Sequence, residues 1–386
     1  MKRIWTAGLR AGGALLAPAA MLFGATAASA DAETPPFEMI VTGIYQTTSD
    51  GKVEDEGALR PEIFMNLPVP GVGGTLVGHF EANTTPRTDG VTSFVPDADT
   101  NVGTALNGHD HGRAQISELY YQFGNDTLTA SVGLLDVKVF LDTSLFANNE
   151  RTQFVNTSLV NDATIEFPDY TLGAVLQTQG NGGIPSLRVA VGGSSGLGDN
   201  AGRTYPELFD LRSSGKGAFA AAELGWAVPG LSTDNDADRD DGAFRVGAWT
   251  NTADHTELSG SSTDEKNAGV YTSIDGKSLG TGWNIRAGLA DKSVSPAAWF
   301  VGGALERPVA DKWTLGAGLT HTGLSGDAGP GFDDTTEAEI YAKYDVVEHL
   351  SITPSVQWVK NPGFDDTGTV VDDSIWVFGI RLGLDI

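Results

Sequence analysis

Between residues 137 and 169 the sequence gathers Asp142, Asn148, Glu150, Arg151, Gln153 and Asn156 among Phe140, Phe146 and Phe154. Carboxylates, a guanidinium and amides donate and accept hydrogen bonds, and an aromatic ring offers an apolar face. This combination suits a polyhydroxylated solute, whose hydroxyls bond to polar groups while its ring stacks on an aromatic. At 33 residues the segment is too long for a simple connection, a length that signals function. Its apolar residues Phe140, Leu145, Phe146, Phe154, Val155 and Leu159 would let it pack as a unit. We expect it to fold into the structure that carries it and narrow the space there. Catalysis finds less support. A Ser-His-Asp centre needs three convergent groups, and none of His79, His109, His111, His255, His321 and His349 has a serine motif beside it. His109 and His111 flank Asp110 in a loop, a weak pair for a metal. We expect no enzyme, no cofactor and no metal.

The elements that would position such a loop read as strands. The chain ends in an unbroken alternation: Trp376, Phe378, Ile380, Leu382, Leu384 and Ile386 share one face, and Val377, Gly379, Arg381, Gly383 and Asp385 the other. A bare apolar ladder invites pairing with other chains, and a transmembrane barrel resolves this by closing its last strand on its first. Similar alternation recurs, predicting sixteen strands near 37–47, 59–66, 74–83, 114–123, 127–136, 170–178, 186–193, 217–226, 242–251, 267–275, 282–290, 297–306, 312–321, 336–344, 350–359 and 375–386. Odd connections (84–113, 137–169, 194–216, 322–335) are mostly long, and even ones (67–73, 124–126, 179–185, 276–281, 307–311) mostly tight. That asymmetry predicts long extracellular loops, short periplasmic turns and periplasmic termini. The Asp-rich 227–241 breaks the pattern as a long periplasmic turn or a miscounted hairpin.

The expected fold is therefore all-β: a transmembrane, antiparallel, up-and-down barrel of sixteen strands, with long extracellular loops partly folded into a water-filled lumen. Trp226, Trp283, Trp299, Trp313, Trp358 and Trp376 fall near strand ends, as interfacial girdles require. Parity turns Glu81, Glu118, Tyr120, Gln122, Arg188, Glu223, Arg245, Trp249, Tyr271, Arg286, Glu306, Glu337, Glu339, Tyr341, Lys343, Gln357 and Arg381 inward. Of these, Glu118, Arg188, Arg245, Trp249, Arg286 and Arg381 join the loop residues as candidate solute contacts.

Composition bounds the remaining possibilities. Lys2 and Arg3, the apolar run around Ala14–Phe23 and Ala28-Ser29-Ala30 predict a secretory signal peptide over 1–30, leaving one barrel domain over 31–386. Removing 1–30, which holds Lys2, Arg3 and Arg10 and no acid, takes the net charge from -26 to -29. Such acidity excludes a nucleic-acid partner, and it suits soluble external loops or a preference for cations. With 50 glycines, 17 prolines and no cysteine, closure of a sheet and not disulfides must hold the chain together. Expected partners are small sugars or other hydrophilic solutes, outer-membrane lipids, the barrel-assembly machinery acting on Trp376–Ile386, and a second copy in a homo-oligomer. The terminal Ile386 departs from the aromatic residue that commonly ends such chains.

Two stretches carry a resemblance. The first runs Gly133-Leu134-Leu135-Asp136, Phe140, Asp142, Phe146-Ala147-Asn148-Asn149-Glu150 and Gln153-Phe154-Val155-Asn156, with Phe167-Pro168 beyond. The second is Ile352-Thr353-Pro354, Gln357, Asn361-Pro362-Gly363 and Trp376-Val377-Phe378-Gly379-Ile380-Arg381-Leu382. In order and spacing the chain resembles the carbohydrate-selective porin family (OprB type). The resemblance implies a sixteen-stranded outer-membrane barrel that admits glucose and other sugars by diffusion through a constriction of inward-folded loops. It places Asp136, Phe140, Asp142, Asn148, Glu150, Arg151, Gln153 and Asn156 in the motif segment. A general or cation-preferring porin is the alternative on the same scaffold, and an outer-membrane enzyme or adhesin the alternative of another class.

Overall fold

In the computed structural model, residues 35–180, 183–200, 202–210, 216–228, 230–231, 242–260, 265–328, 333–362 and 373–386 are described. The predicted leader 1–30, Gly363 and most of 227–241 lie outside them. The wall is built from β1 (Phe37–Thr48), β2 (Glu56–Pro68), β3 (Thr75–Ala82), β4 (Ala114–Gly124), β5 (Leu128–Leu135), β6 (Thr171–Thr178), β7 (Ser186–Gly193) and β8 (Ala218–Ala227). It continues through β9 (Ala243–His255), β10 (Glu265–Ser278), β11 (Thr281–Ala290), β12 (Ala297–Ala310), β13 (Trp313–Leu324), β14 (Thr335–Val347), β15 (Leu350–Lys360) and β16 (Ser374–Asp385). Each strand pairs antiparallel with its neighbours in sequence, and β1 closes on β16.

Closure is forced by the solvent. Unpaired N–H and C=O groups in hydrocarbon cost several kcal/mol each, so a sheet that spans a bilayer has no free edges. The joint runs from Ile40 opposite Asp385 to Thr48 opposite Val377. The predicted alternation survives along most of the wall and breaks in β4, where adjacent Ser117 and Glu118 are both buried at a register shift. On β9 the even residues Phe244, Val246 and Ala248 are exposed, and Ala243, Arg245, Gly247 and Trp249 are buried. On β16 Ile380 and Leu382 stay 44 % and 47 % exposed while Arg381 is 3 % exposed, which gives the lipid face and the lumen face. Trp299, Trp313 and Trp376 are on the outer face, and Trp249 is inside.

All sixteen predicted strands are found, with most ends one to four residues from where alternation alone sets them. β9, β10 and β12 run further than expected, to His255, Ser278 and Ala310. β8 pairs directly with β9, from Phe219 opposite Asn251 to Ala227 opposite Ala243, with no strand between them.

Two connections fold inward. Part of 84–113 forms a helical turn at Val91–Phe94 and a 3-10 turn at Pro96–Ala98. There Val91, Phe94, Val95 and Ala98 pack on the lumen-facing Val359, Ile375 and Val377. The segment 137–169 packs Val137, Phe140 and Leu141 on Tyr120, Phe219, Trp249 and Tyr271, and Phe154, Leu159 and Val160 on Ala304 and Tyr341.

Because β16 is both the last strand and the closing one, a charge on its lipid face is a direct test of closure. Ile380→Arg is expected to destabilise the folded barrel by about 2–4 kcal/mol, the cost of a cation near the bilayer midplane. Urea titration of protein refolded into liposomes measures this.

Candidate functional site

A loop inside a barrel must satisfy its own backbone, because little regular structure does so for it. Here the wall does this. Arg286 on β11 donates Nη1 to the carbonyl of Val160 at 2.6 Å and Nη2 to that of Ala147 at 3.3 Å, and Nη2 also meets Asn148 Oδ1. Arg381 on β16 donates Nη1 to the Glu150 carbonyl at 2.7 Å and Nη2 to the Gln153 carbonyl at 2.8 Å. Acids hold the amides. Glu339 Oε2 accepts from the N–H groups of Asn156 at 2.9 Å and Val155 at 3.1 Å, and Glu223 Oε2 accepts from that of Asp142 at 3.0 Å. Glu118 Oε1 accepts from the Asp136 N–H at 2.9 Å, where the strand gives way to the loop.

The motif residues organise the loop itself. The Gln153 carbonyl oxygen Oε1 accepts from the N–H groups of Asn148 and Asn149, both at 3.1 Å, and its amide donates to the Leu145 carbonyl at 2.8 Å. Asn156 caps the helical turn Thr157–Val160 by accepting from the Leu159 N–H at 3.3 Å, and its amide reaches Gln357 Oε1 at 3.3 Å. Phe140 is fully buried, edge-on to Tyr120 with centroids 6.0 Å apart. Lumen-facing glycines seat the loop: a Cβ on Gly282 would lie 2.1 Å from the Phe146 ring, and one on Gly318 2.4 Å from Leu159.

The sequence-predicted site residues therefore divide. Asp142, Asn148, Gln153, Asn156, Glu118, Arg286 and Arg381 meet in the joint between loop and wall. Arg188 binds Glu223 at 3.0 Å and Thr143 Oγ1 at 3.2 Å. Arg245 pairs with Asp275 at 2.5 Å, and Trp249 stacks on Phe219 beneath the loop, 3 % exposed. The side chains of Glu150 and Arg151 are 20 % and 11 % exposed.

Arg151 leads to groups that sequence reasoning missed. Its guanidinium forks onto Glu62, Nε to Oε2 at 2.8 Å and Nη2 to Oε1 at 2.6 Å, and lies 4.8 Å over the Phe64 ring. Glu62 also meets His79 Nε2 at 3.0 Å, and His79 stacks on Phe64. Arg60 beside it holds Asp99 of the first inward loop at 2.9 Å through Nη1. The signal was available in the alternation of Arg60, Glu62 and Phe64 along β2. Glu62, His79 and Glu81 present atoms within 4.8 Å of one another, a spacing a metal could use. Yet Arg151 takes both Glu62 oxygens, and Glu81 Oε1 accepts from Gln115 at 3.0 Å and from Ser117. The cluster is an ion-pair and hydrogen-bond network.

The geometry is a sixteen-stranded wall whose lumen charges fasten an inward loop, and the family model described as "Carbohydrate-selective porin, OprB family" matches residues 80–385. The chain belongs to the OprB family of carbohydrate-selective porins. Its barrel lies in the outer membrane. The fold is also that of a Pseudomonas putida OprB structure, at a TM-score of 0.64 and 14% identity over 91% of this chain and 93% of that one. OmpT of Vibrio cholerae, in a structure described as its trimer form, matches at a TM-score of 0.54 and 15% identity, covering 92% of this chain and 100% of that one. An uncharacterised protein of Aquifex aeolicus (strain VF5) is 33% identical over 82 residues, 21% of this chain and 26% of that relative.

Electrostatics adds a pH dependence at the loop. Asp142, buried in the porin's lumen with a left-handed φ of 51°, sits 3.7 Å from Arg286 Nε through Oδ1 and accepts from the Asp162 N–H through Oδ2 at 3.1 Å. Burial pushes its carboxyl up to about 7; Arg286 opposes this, and Asp162 and Glu223 add to it. A carboxyl raised on docking favours the docked loop most below its ordinary value near 4, and that contribution is lost as pH rises through about 7. Single-channel conductance is expected to rise as pH goes from about 4 to about 7 and the loop loosens, and Asp142→Asn to flatten the rise. Arg286→Gln, which strands two buried carbonyls at about 1–3 kcal/mol each, is expected to expose 137–169 to limited proteolysis without unfolding the barrel.

Proposed function

We propose that this porin is a passive channel for small hydrophilic solutes with a preference for sugars such as glucose, and that residues 137–169 form its constriction. The observation that carries the reading is the loop fastened across the lumen at Arg286, Arg381, Glu223 and Glu339. Family membership supplies the class of solute. The chemistry around the loop agrees: carboxylates, guanidinium groups and amides stand beside aromatic rings, as at Arg151, Glu62 and Phe64. Such a filter binds solute weakly through several partial contacts, so that entry and release are both easy. Glu150 and Arg151, the least buried of the motif's charges, are the residues assigned to solute. The wall residues Arg188, Arg245, Trp249, Arg286 and Arg381 act on solute through the loop they hold.

No catalytic step belongs to this reading, and neither cofactor nor metal is required for diffusion. In the same reading the chain is exported with residues 1–30 removed, is inserted by the barrel-assembly machinery through Trp376–Ile386, and keeps both termini periplasmic. Association into a homo-oligomer is compatible with it. A cation-preferring pore is the second reading, favoured by the net charge of -26.

Planar-bilayer recording separates the two. Glucose or maltose is expected to reduce the current at millimolar concentration; no reduction, with cations greatly outpacing anions, would establish the second reading. Deleting about ten residues around Phe146 is expected to raise conductance and weaken sugar block together, and unchanged conductance would remove 137–169 from the constriction.

A further inference from the structure

The two inward loops touch each other, and the place where they meet is short of positive charge. The Thr100 N–H of the first loop donates to the Val155 carbonyl of the second at 2.9 Å. Close by, Asp97 in the 3-10 turn Pro96–Ala98 accepts through Oδ2 from Ser158 Oγ at 3.2 Å. Glu337 on β14 stands beside Ser158 and Asn156, near enough to Asp97 for the two carboxylates to repel. Thr320 on β13 lies directly opposite Glu337 on the lumen face, where side chains of facing residues are neighbours. Ser158, Thr320 and Glu337 are 3 %, 2 % and 2 % exposed.

Two buried oxygens in this cluster, Glu337 Oε2 and Thr320 Oγ1, have no hydrogen-bond partner. The Thr320 methyl lies on the β12 side, where a Cβ on Gly302 would come within 2.9 Å of it, and this leaves the hydroxyl free to face Glu337. Neighbouring acids are provided for: Asp99 holds Arg60 at 2.9 Å, and Glu339 accepts from the Val155 and Asn156 amides. Among the described residues neither Asp97 nor Glu337 forms an ion pair. Buried carboxylates without a counter-charge are costly, and they pair with a cation or bind a metal. A proton would discharge one of the two acids and leave the other unanswered. A divalent cation balances both charges and takes both orphaned oxygens.

We propose that Asp97, Ser158, Thr320 and Glu337 hold a calcium ion that joins the two inward loops to β13 and β14. The donors are all oxygen, the set that hard cations take and soft metals do not prefer. They come from four separate elements, two loops and two strands, so their spacing is not that of a rigid cage. Calcium accepts flexible shells of about six to eight oxygens, whereas magnesium demands near-ideal octahedral geometry, and the site therefore favours calcium. Four side chains leave part of the shell to water. The ion's role is structural: it fixes the loops against the wall, and diffusion itself makes no use of it.

The test uses full-length protein purified in detergent, stripped with EGTA and dialysed at neutral pH against radioactive calcium in excess magnesium. One calcium ion per chain is expected to be retained. Glu337→Gln is expected to weaken its binding at least about tenfold, the loss typical of a disturbed metal site. Thr320→Val, which keeps the shape and removes the hydroxyl, is expected to weaken it several-fold. Calcium is also expected to slow proteolytic cleavage within 84–113 and 137–169 in the parent protein and not in Glu337→Gln. A heat-dependent gel shift reports whether each variant remains a folded barrel, and Thr320→Val alone serves if Glu337→Gln is unfolded. No calcium retained by the folded parent protein would overturn the proposal and leave a proton as the neutralising charge. Retention that is unchanged in the folded variants would also overturn it, placing the ion on the acidic external loops.

Discussion

The constraint on which the interior depends is that a buried loop must find partners for its own peptide groups. Residues 137–169 cross a barrel in which their only regular structure is the short turns at Val137–Val139 and Thr157–Val160. An unbonded N–H or C=O there would cost about 1–3 kcal/mol. The wall answers with long polar side chains: arginines reach loop carbonyls, and glutamates accept from loop amides. Hydrogen bonds to charged groups are roughly twice as strong as neutral ones, so a few long side chains hold a segment that could not hold itself. Much of the lumen charge that looks like solute-binding chemistry is in this sense structural.

That use of charge explains how the pattern divides. Arg286 and Arg381 are nearly inaccessible and face the loop's C=O groups, whereas Glu223 and Glu339 face its N–H groups. Some of the lumen acids are also balanced by a neighbouring cation, Glu223 by Arg188 at 3.0 Å and Asp275 by Arg245 at 2.5 Å. Such pairs are costly to bury unless their remaining atoms are bonded, and the loop supplies several of those bonds, such as the Asp142 N–H that donates to Glu223 and the Thr143 hydroxyl that accepts from Arg188. Wall and loop are therefore interdependent. Removing the loop strands buried charges, and removing a wall charge strands the loop's backbone. The first inward loop obeys the same logic, since the Ala98 carbonyl accepts from Gln46 and Gln357, both at 2.8 Å.

Period-two alternation made the barrel legible, because a lipid-facing residue and a lumen-facing one differ so sharply that parity survives errors in strand ends. The inward placement of Arg245, Trp249, Arg286 and Arg381 followed from the same parity. Alternation does not encode which inward residue meets which loop atom, so the split between loop-holding and solute-facing groups was illegible. β2 was harder still: Arg60, Glu62 and Phe64 mix charge and ring on the lumen face, and the strand's contrast is weak. The folding-in of 84–113 left little trace, since Val91, Phe94 and Val95 read as an ordinary short apolar run. Lumen-facing Gly282 and Gly318 were the overlooked signal. A glycine on the inner face of a wide barrel has no packing reason to be small unless something presses against it.

The seat of the loop then bears on selectivity. Phe146 lies against Gly282, and Phe154 packs edge-on to Tyr341 with centroids 5.0 Å apart, so those two rings are spent on docking. Trp249 is spent likewise, stacked on Phe219 at 6.2 Å. Of the motif's charged residues Glu150 and Arg151 keep the most solvent contact, and Arg151 pairs with Glu62 beside Phe64. A solute passing there meets opposite charges held close together, whose fields largely cancel for an ion at a distance but remain strong for a hydroxyl within bonding reach. Paired charges of this kind favour neutral, polyhydroxylated solutes over either sign of ion, even in a protein whose formal net charge is -26.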